Sequence, residues 1–204
     1  MDNEKKSAFK STYEQIRDMI FNGDLENGEK ITETKLAQIL GVSRTPIREA
    51  IKQLEMEKLI VDNHVANPTE RDYQDLFEMR ILIEKYSVRK ATLYFTDKDL
   101  QEMERLVEIG YTGEHEEVME ANKHFHENIV NVTKNKVMID YFNQMQSIIY
   151  LFRRTVLFHK RPGLIDEHKE IVAAIKNRDA DLAEKLIEQH LKADLEFSLY
   201  YLRK

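Results

Sequence analysis

The segment Gly41-Val42-Ser43-Arg44-Thr45-Pro46-Ile47-Arg48-Glu49-Ala50-Ile51 constrains this chain more than any other. A short helix, Leu36–Leu40, runs into Gly41, which stops it. Ser43 or Thr45 can cap the helix that follows, and Pro46 falls in its first turn, where the missing N–H costs nothing. Ile47, Ala50, Ile51 and Leu54 then recur at i, i+3, i+4 and i+7, a stripe that packs inward. Arg48 and Lys52 lie one turn apart off that stripe and point outward, with Arg44 and Thr45 at the exposed entrance. A helix, a tight turn and a second helix with a cationic start is how a helix-turn-helix offers side chains to the DNA major groove. Periodicity alone equally describes a surface helix of any α protein.

Composition narrows the class. Hydrophobic residues make up 42% of 204, enough for a sizeable core in one large domain or two small ones. Six glycines and three prolines predict a chain that is mostly helix with few sharp turns. With no cysteine, disulfides and thiolate metal sites are excluded, which fits a reducing cytoplasm. The start, Met1-Asp2-Asn3-Glu4-Lys5-Lys6, has no apolar run behind it, and no segment approaches a transmembrane length. No signal peptide or membrane partner is therefore expected, and the expected location is the cytoplasm. The net charge of -6 argues against a non-specific nucleic-acid coat. It leaves room for a specific binder whose cations cluster at Lys35, Arg44, Arg48, Lys52 and Lys58.

A first helix is predicted over Ala8–Phe21, with Tyr13, Ile16, Ile20 and Phe21 inward and Asn22-Gly23 as its end. Thr32 opens the second helix, and the third runs to about Lys58. Ile60–Ala66 reads as a very short β-hairpin with Asp62-Asn63 at the turn. Asn67-Pro68 marks a boundary, because proline disfavours helix at the residue before it. Beyond it only helical periodicity appears, over Thr69–Phe95, Thr96–Gly110, Glu114–Val132, Lys136–Lys160, Leu164–Asn177 and Ala180–Arg203. Thr69 with Asp72 and Thr96 with Asp99 carry the capping pattern. Tyr141, Met145, Ile148, Ile149, Phe152 and Val156 are the expected inner face of the Lys136 helix. The fold class is thus mainly α: residues 1–67 a helix-turn-helix with a short β wing, residues 68–204 an antiparallel helical bundle.

From Gly23 through Gly-Asp-Leu-Glu-Asn-Gly-Glu-Lys-Ile-Thr-Glu-Thr-Lys-Leu-Ala-Gln-Ile-Leu-Gly-Val-Ser-Arg-Thr-Pro-Ile-Arg-Glu-Ala-Ile to Leu59-Ile60, the chain resembles the winged-helix signature of GntR-family bacterial transcription regulators. That resemblance implies a sequence-specific DNA-binding domain in a homodimer that reads a palindromic double-stranded operator. It makes Arg44, Thr45 and Arg48 the base and phosphate readers, with Ser43 at the helix start and Lys35 and Lys52 supporting on the DNA backbone. The chain departs from the family at the wing, which here is short and has neither arginine nor glycine at its tip. The operator is then expected to be held mainly by the third helix.

Polar residues on apolar faces mark a second site. His126 shares a side with Ile129, His168 precedes Ile171, Val172 and Ile175, and His190 continues Ala183, Leu186 and Ile187. Asn122 lies one turn before His126. A lone inward histidine is usually a hydrogen-bonded core residue, but imidazoles from three helices of one bundle suit Zn, Ni, Cu or Fe. His64, His115, His124 and His159 lack this context and are expected at the surface. Asn122-x-x-x-His126, Glu167-His168 and His190, with Met79-Arg80-Ile81-Leu82-Ile83-Glu84, resemble the FCD effector domain of the FadR subfamily. In that family an Asp or Asn and three His bind a divalent metal that helps to hold a small carboxylate effector. The resemblance makes Asn122, His126, His168 and His190 the ligands of a divalent Zn, Ni or Mn ion. Asn stands where Asp is commonest, so the site brings no charge of its own, which implies weaker metal retention and a stronger pull on an anion. A metal-free pocket in which Asn122 hydrogen-bonds a histidine remains the other reading.

Tyr73, Phe77, Arg80 and Glu84 run along one helix face, which turns Arg80 inward. It either pairs with Glu84 one turn on or grips a carboxylate through two parallel N–H bonds, and the family favours the second. Arg153, beside Arg154, is the further effector-binding candidate. Two other functions share these residues. A metal sensor would need no acid, and metal-assisted hydrolysis could use Glu84 as base. No nucleophile accompanies the second, so the chain is read as a regulator and not an enzyme.

Overall fold

The computed structural model describes residues 2–156 and 161–203, with side chains described for 11–151, 161–201 and 203. Among these are α1 Asp2–Asn22, α2 Glu33–Leu40, α3 Arg44–Met56, β1 Ile60–Val61, β2 His64–Val65, α4 Glu70–Tyr94, α5 Asp97–Thr112, α6 His115–Asn131, α7 Lys136–Val156, α8 Leu164–Lys176 and α9 Ala180–Leu202. They form two compact units. One holds residues 1–69 together with 146–155, the other 70–145 with 156–204. No described helix is long and apolar enough to cross a membrane.

The first unit is built around α3. Thr32 caps α2 by accepting from the Lys35 N–H, and Gly41 ends that helix in the left-handed region at φ 66°. Ser43 sits in extended backbone at the start of α3 without a side-chain cap bond. Ile47, Ala50, Ile51 and Leu54 are buried, as are Ile16 and Ile20 of α1, Leu36 of α2 and Leu59 beyond, and α3 packs on both α1 and α2. Lys58 supplies the left-handed residue that closes α3, at φ 61°, while Leu59 N–H reaches back to the Leu54 carbonyl. β1 and β2 pair antiparallel, Ile60 with Val65 and Val61 with His64. Asp62 and Asn63 both hold positive φ at the tip, the condition for a two-residue hairpin turn. The second half of α7 belongs to this unit, where the Tyr150 ring lies 4.5 Å from that of Phe21.

The second unit is the helical bundle. Its core runs from Val88, Ala91 and Phe95 through Met103, Leu106 and Phe125 to Ile171, Ile175, Ile187 and Leu191. Thr96 and Asp99 exchange a full capping box at the start of α5. Gly110 lets α5 approach α8: a Cβ there would lie 2.6 Å from Ile165 Cδ1. Arg178 donates to the Thr92 and Phe95 carbonyls and so closes the end of α4. The expected inner face of α7 needs one correction. Tyr141 is 58% exposed and Phe142 faces the core in its stead, with Ile83 and Val130; Met145, Ile148 and Ile149 are buried as expected, and the side chains of Phe152 and Val156 lie outside the described residues.

Candidate functional site

Two surfaces carry chemistry, one in each unit. In the first, Arg44, Thr45, Arg48 and Lys52 all lie exposed on the side of α3 opposite its buried stripe, and Ser43 is exposed at its start. Arg48 is gripped side-on by Glu33 of α2, Nε–H to Oε1 at 2.7 Å and Nη2–H to Oε2 at 2.9 Å. That hydrogen bond draws the Glu33 carboxyl below its ordinary range. Lys35, also exposed, pairs with Glu29. Arg44 and Lys52 make no salt bridge with a described residue. The hairpin tip, Asp62-Asn63, carries no lysine or arginine, and His64 Nδ1 lies 2.7 Å from the Asp62 carbonyl.

In the second unit three imidazoles converge from three helices. His126 of α6, His168 of α8 and His190 of α9 are each almost fully buried. Their Nε2 atoms meet, His168 to His190 at 3.3 Å and His190 to His126 at 3.3 Å. Carboxylates stand behind two of them: Glu84 Oε2 lies 2.6 Å from His126 Nδ1, and Glu167 Oε2 lies 2.8 Å from His190 Nδ1. A carboxylate at Nδ1 orients each ring so that Nε2 faces the common point, and His190 Nδ1 also lies 3.0 Å from Arg161 Nη2. Phe125 stacks on His168 at 3.8 Å and fixes its plane. Asn122 is buried one turn before His126, and its Oδ1 has no hydrogen-bond partner among the described residues. Three imidazole nitrogens and one orphaned amide oxygen are a donor set that fits a borderline divalent cation.

Arg80 adjoins this cluster through Glu84. Its Nε–H donates to Glu84 Oε1 at 2.7 Å, and its Cζ stands 5.2 Å from the Phe77 ring centre. Nη1 comes no closer than 3.8 Å to Asp194 Oδ2. Both Nη1 and Nη2 are buried without a hydrogen-bond partner among the described residues. One edge of Arg80 thus pairs with Glu84, and its other edge makes no hydrogen bond to a described residue. Burial pushes the Glu84 carboxyl above its ordinary value, and Arg80 pulls it back only in part.

Arg161 and Asp194 belong to the same cluster and were not anticipated. Arg161 donates to Glu167 and lies 3.3 Å from Asp194 Oδ1. Burial raises the Glu167 carboxyl, but hydrogen bonds from Arg161 and His190 outweigh it and bring it down to about 2. Asp194 carried a legible signal, since it follows His190 by one turn and Ser198 follows it by another, all three buried. Arg161 stands before α8 with no periodicity to betray it. Of the other sequence candidates, His64, His115 and His124 are exposed. The side chains of Arg153 and Arg154, and all of His159, lie outside the described residues.

Two family models match the chain. Residues 9–64 match the gntR family of bacterial regulatory proteins, and residues 75–193 match the FCD domain. The chain belongs to the GntR family and carries an FCD domain. It is 30% identical over 199 residues to the HTH-type transcriptional regulator YdhC of Bacillus subtilis, covering 90% of this chain and 88% of that one. It is 28% identical over 191 residues to the gluconate operon transcriptional repressor of Bacillus licheniformis, covering 86% and 79%. Among solved structures, E. coli McbR/YncC superposes with a TM-score of 0.78 at 19% identity, over 95% of this chain and 97% of that one, and so shares the fold. The chain is a DNA-binding transcription regulator and not an enzyme.

Proposed function

We propose that this chain is a homodimeric repressor that binds a palindromic operator through α3 and releases it when a small carboxylate enters the bundle. A divalent metal on Asn122, His126, His168 and His190 would help to hold that acid. The observation that carries the reading is the pair of unsatisfied buried groups, Arg80 Nη1/Nη2 and Asn122 Oδ1, beside converging imidazoles. Buried donors and acceptors left unpaired cost about 1–3 kcal/mol each, so a site that keeps them is built for a ligand. A metal, when bound, supplies positive charge that polarises a coordinated carboxylate. Arg80 supplies orientation, because its free edge offers two parallel N–H groups.

Charge narrows the acid. Arg80 is offset by Glu84 and Arg161 by Glu167, which leaves Asp194 against a divalent cation. One positive charge remains, and that suits a monoanion. A regulator in which the metal alone is the signal would leave the Arg80 donors without a purpose. Dimerisation is supported by the exposed apolar residues Met79, Leu82, Tyr86 and Leu93 along α4 and Val137 and Tyr141 on α7. Exposed apolar side chains in such number are what an isologous contact can cover.

Thermal unfolding of the purified chain tests the site. EDTA is expected to lower Tm, and zinc, nickel or manganese to restore it. One acid from a panel of small monocarboxylates should then raise it further. At a hundred times its Kd a ligand adds about 2.7 kcal/mol, or several degrees. Arg80→Met should abolish the response to acid and keep the response to metal. If EDTA and every metal leave Tm unchanged, the metal reading is lost; if Arg80→Met answers the acid as wild type does, Arg80 is not the anchor.

A further inference from the structure

The reading helix carries an ion pair that DNA binding alone does not require. Arg48 is one of its outward cations, with 61% of its side chain exposed, yet it is not offered bare to solvent. Glu33, in the first turn of α2, takes its Nε–H and one Nη2–H in a two-point contact. A guanidinium has five N–H groups in a fixed fork. Binding through Nε and Nη2 leaves the opposite edge, one N–H on Nη1 and one on Nη2, parallel and unclaimed. That edge is sufficient for a bidentate contact with guanine O6 and N7. Glu33 and a guanine can therefore hold Arg48 at the same time, from different sides.

A phosphate meets different terms. It binds a guanidinium mainly for its charge, and here a carboxylate less than 3 Å away already offsets that charge. The same carboxylate repels any phosphate that approaches the shared side. We infer that Glu33 is a positioning residue for sequence reading: it holds Arg48 extended toward a base edge and denies it to the DNA backbone. Arg44, which Glu33 reaches through charge but not through a hydrogen bond, and Lys52 are left to contact phosphate. The inference rests on α3 being the reading helix.

The test compares the full-length wild type with Glu33→Ala, Glu33→Gln and Arg48→Ala. Each is selected for binding on a pool of random 30-bp duplexes, and affinity for the unselected pool is measured from low to high salt. The wild-type selection should contain a guanine preference that disappears in Arg48→Ala. Glu33→Ala should lose the same preference by roughly tenfold in discrimination. Its affinity for the unselected pool should rise several-fold, with the salt slope steeper by about 0.9 for the one phosphate Arg48 now reaches. Glu33→Gln, which preserves the size of the residue, should show the same change in milder form.

If both Glu33 variants keep the wild-type preference and slope, the inference is overturned while α3 remains the reader. Equal gains on selected and unselected DNA would overturn it too, because Glu33 would then be a mask and not a guide. If Arg48→Ala keeps the preference, α3 does not read through Arg48 and the inference falls with that assignment.

Discussion

Tyr13 shows how a single side chain steadies α3. Its phenol donates to Glu57 and lies 2.9 Å from both carboxylate oxygens, at the residue that ends α3. Burial pushes the phenol up, and the bond to Glu57 adds to this, so that it reaches about 12. The neutral phenol is therefore favoured in the folded state over the unfolded one, where it titrates near 10. The stabilisation is complete below about pH 10 and is lost as pH rises through about 12. Tyr13→Phe should cost about 1 kcal/mol near neutral pH and remove this part of the alkaline loss. Urea unfolding of both proteins across that window checks it: the two curves should converge with rising pH. A constant gap would show that the phenol does not titrate differently in the two states.

At the same scale, the buried polar residues divide by how they can be found. Asn122, His126, His168, His190, Arg80 and Glu84 each interrupt an apolar face at helical spacing, so the sequence exposes them. Periodicity says nothing, however, about which nitrogen faces which oxygen. Glu167 behind His190 and Glu84 behind His126 emerge only when separate helices are brought together. Arg161 lies outside every periodic segment and becomes part of the cluster through the fold alone.

Among the elements, two glycines do opposite work. Gly41 ends α2 at φ 66°, and a Cβ there would meet nothing within 4 Å, so Gly41→Ala costs backbone conformation only, about 1 kcal/mol. Gly110 has no such strain, but its Cβ would lie 2.6 Å from Ile165 Cδ1 and 3.1 Å from Cγ1 and Cγ2. Gly110→Ala should therefore cost about 1–3 kcal/mol through overpacking of α5 on α8. Ile165→Val removes the nearest atom, so the double variant should be more stable than the two single losses predict. Denaturant unfolding of the four-protein cycle measures that coupling; strict additivity would mean the helices simply move apart. Helix order was legible because each segment repeats its apolar residues near 3.6. The ends were less so: α1 begins at Asp2, well before Ala8, and α5 continues past Gly110 to Thr112. Tyr141 failed for a physical reason. An aromatic beside a buried stripe suits a core or an interface equally well, and one chain's sequence does not distinguish them.

For the whole molecule, the proposed repressor must couple an acid held by one unit to DNA bound by the other. α7 is the element both share, with Lys136–Met145 in the bundle and Gln146–Thr155 in the DNA-binding unit. Its bundle half is anchored by Phe142 and Met145, and its other half buries Ile148, Ile149 and Leu151. A continuous helix transmits displacement because its hydrogen bonds resist bending, and glycine weakens that resistance. Gln146→Gly/Ser147→Gly should cost about 1 kcal/mol of helix stability without touching a buried ligand residue. The acid's affinity for DNA-free protein should then stay as in wild type, while its effect on operator affinity shrinks from roughly 5–150-fold toward none. Calorimetric titration of the acid, with and without the operator duplex, reads both quantities. Linkage requires DNA to weaken acid binding by the same factor as acid weakens DNA binding. If the double-glycine variant keeps the full factor in both directions, the signal does not pass along α7.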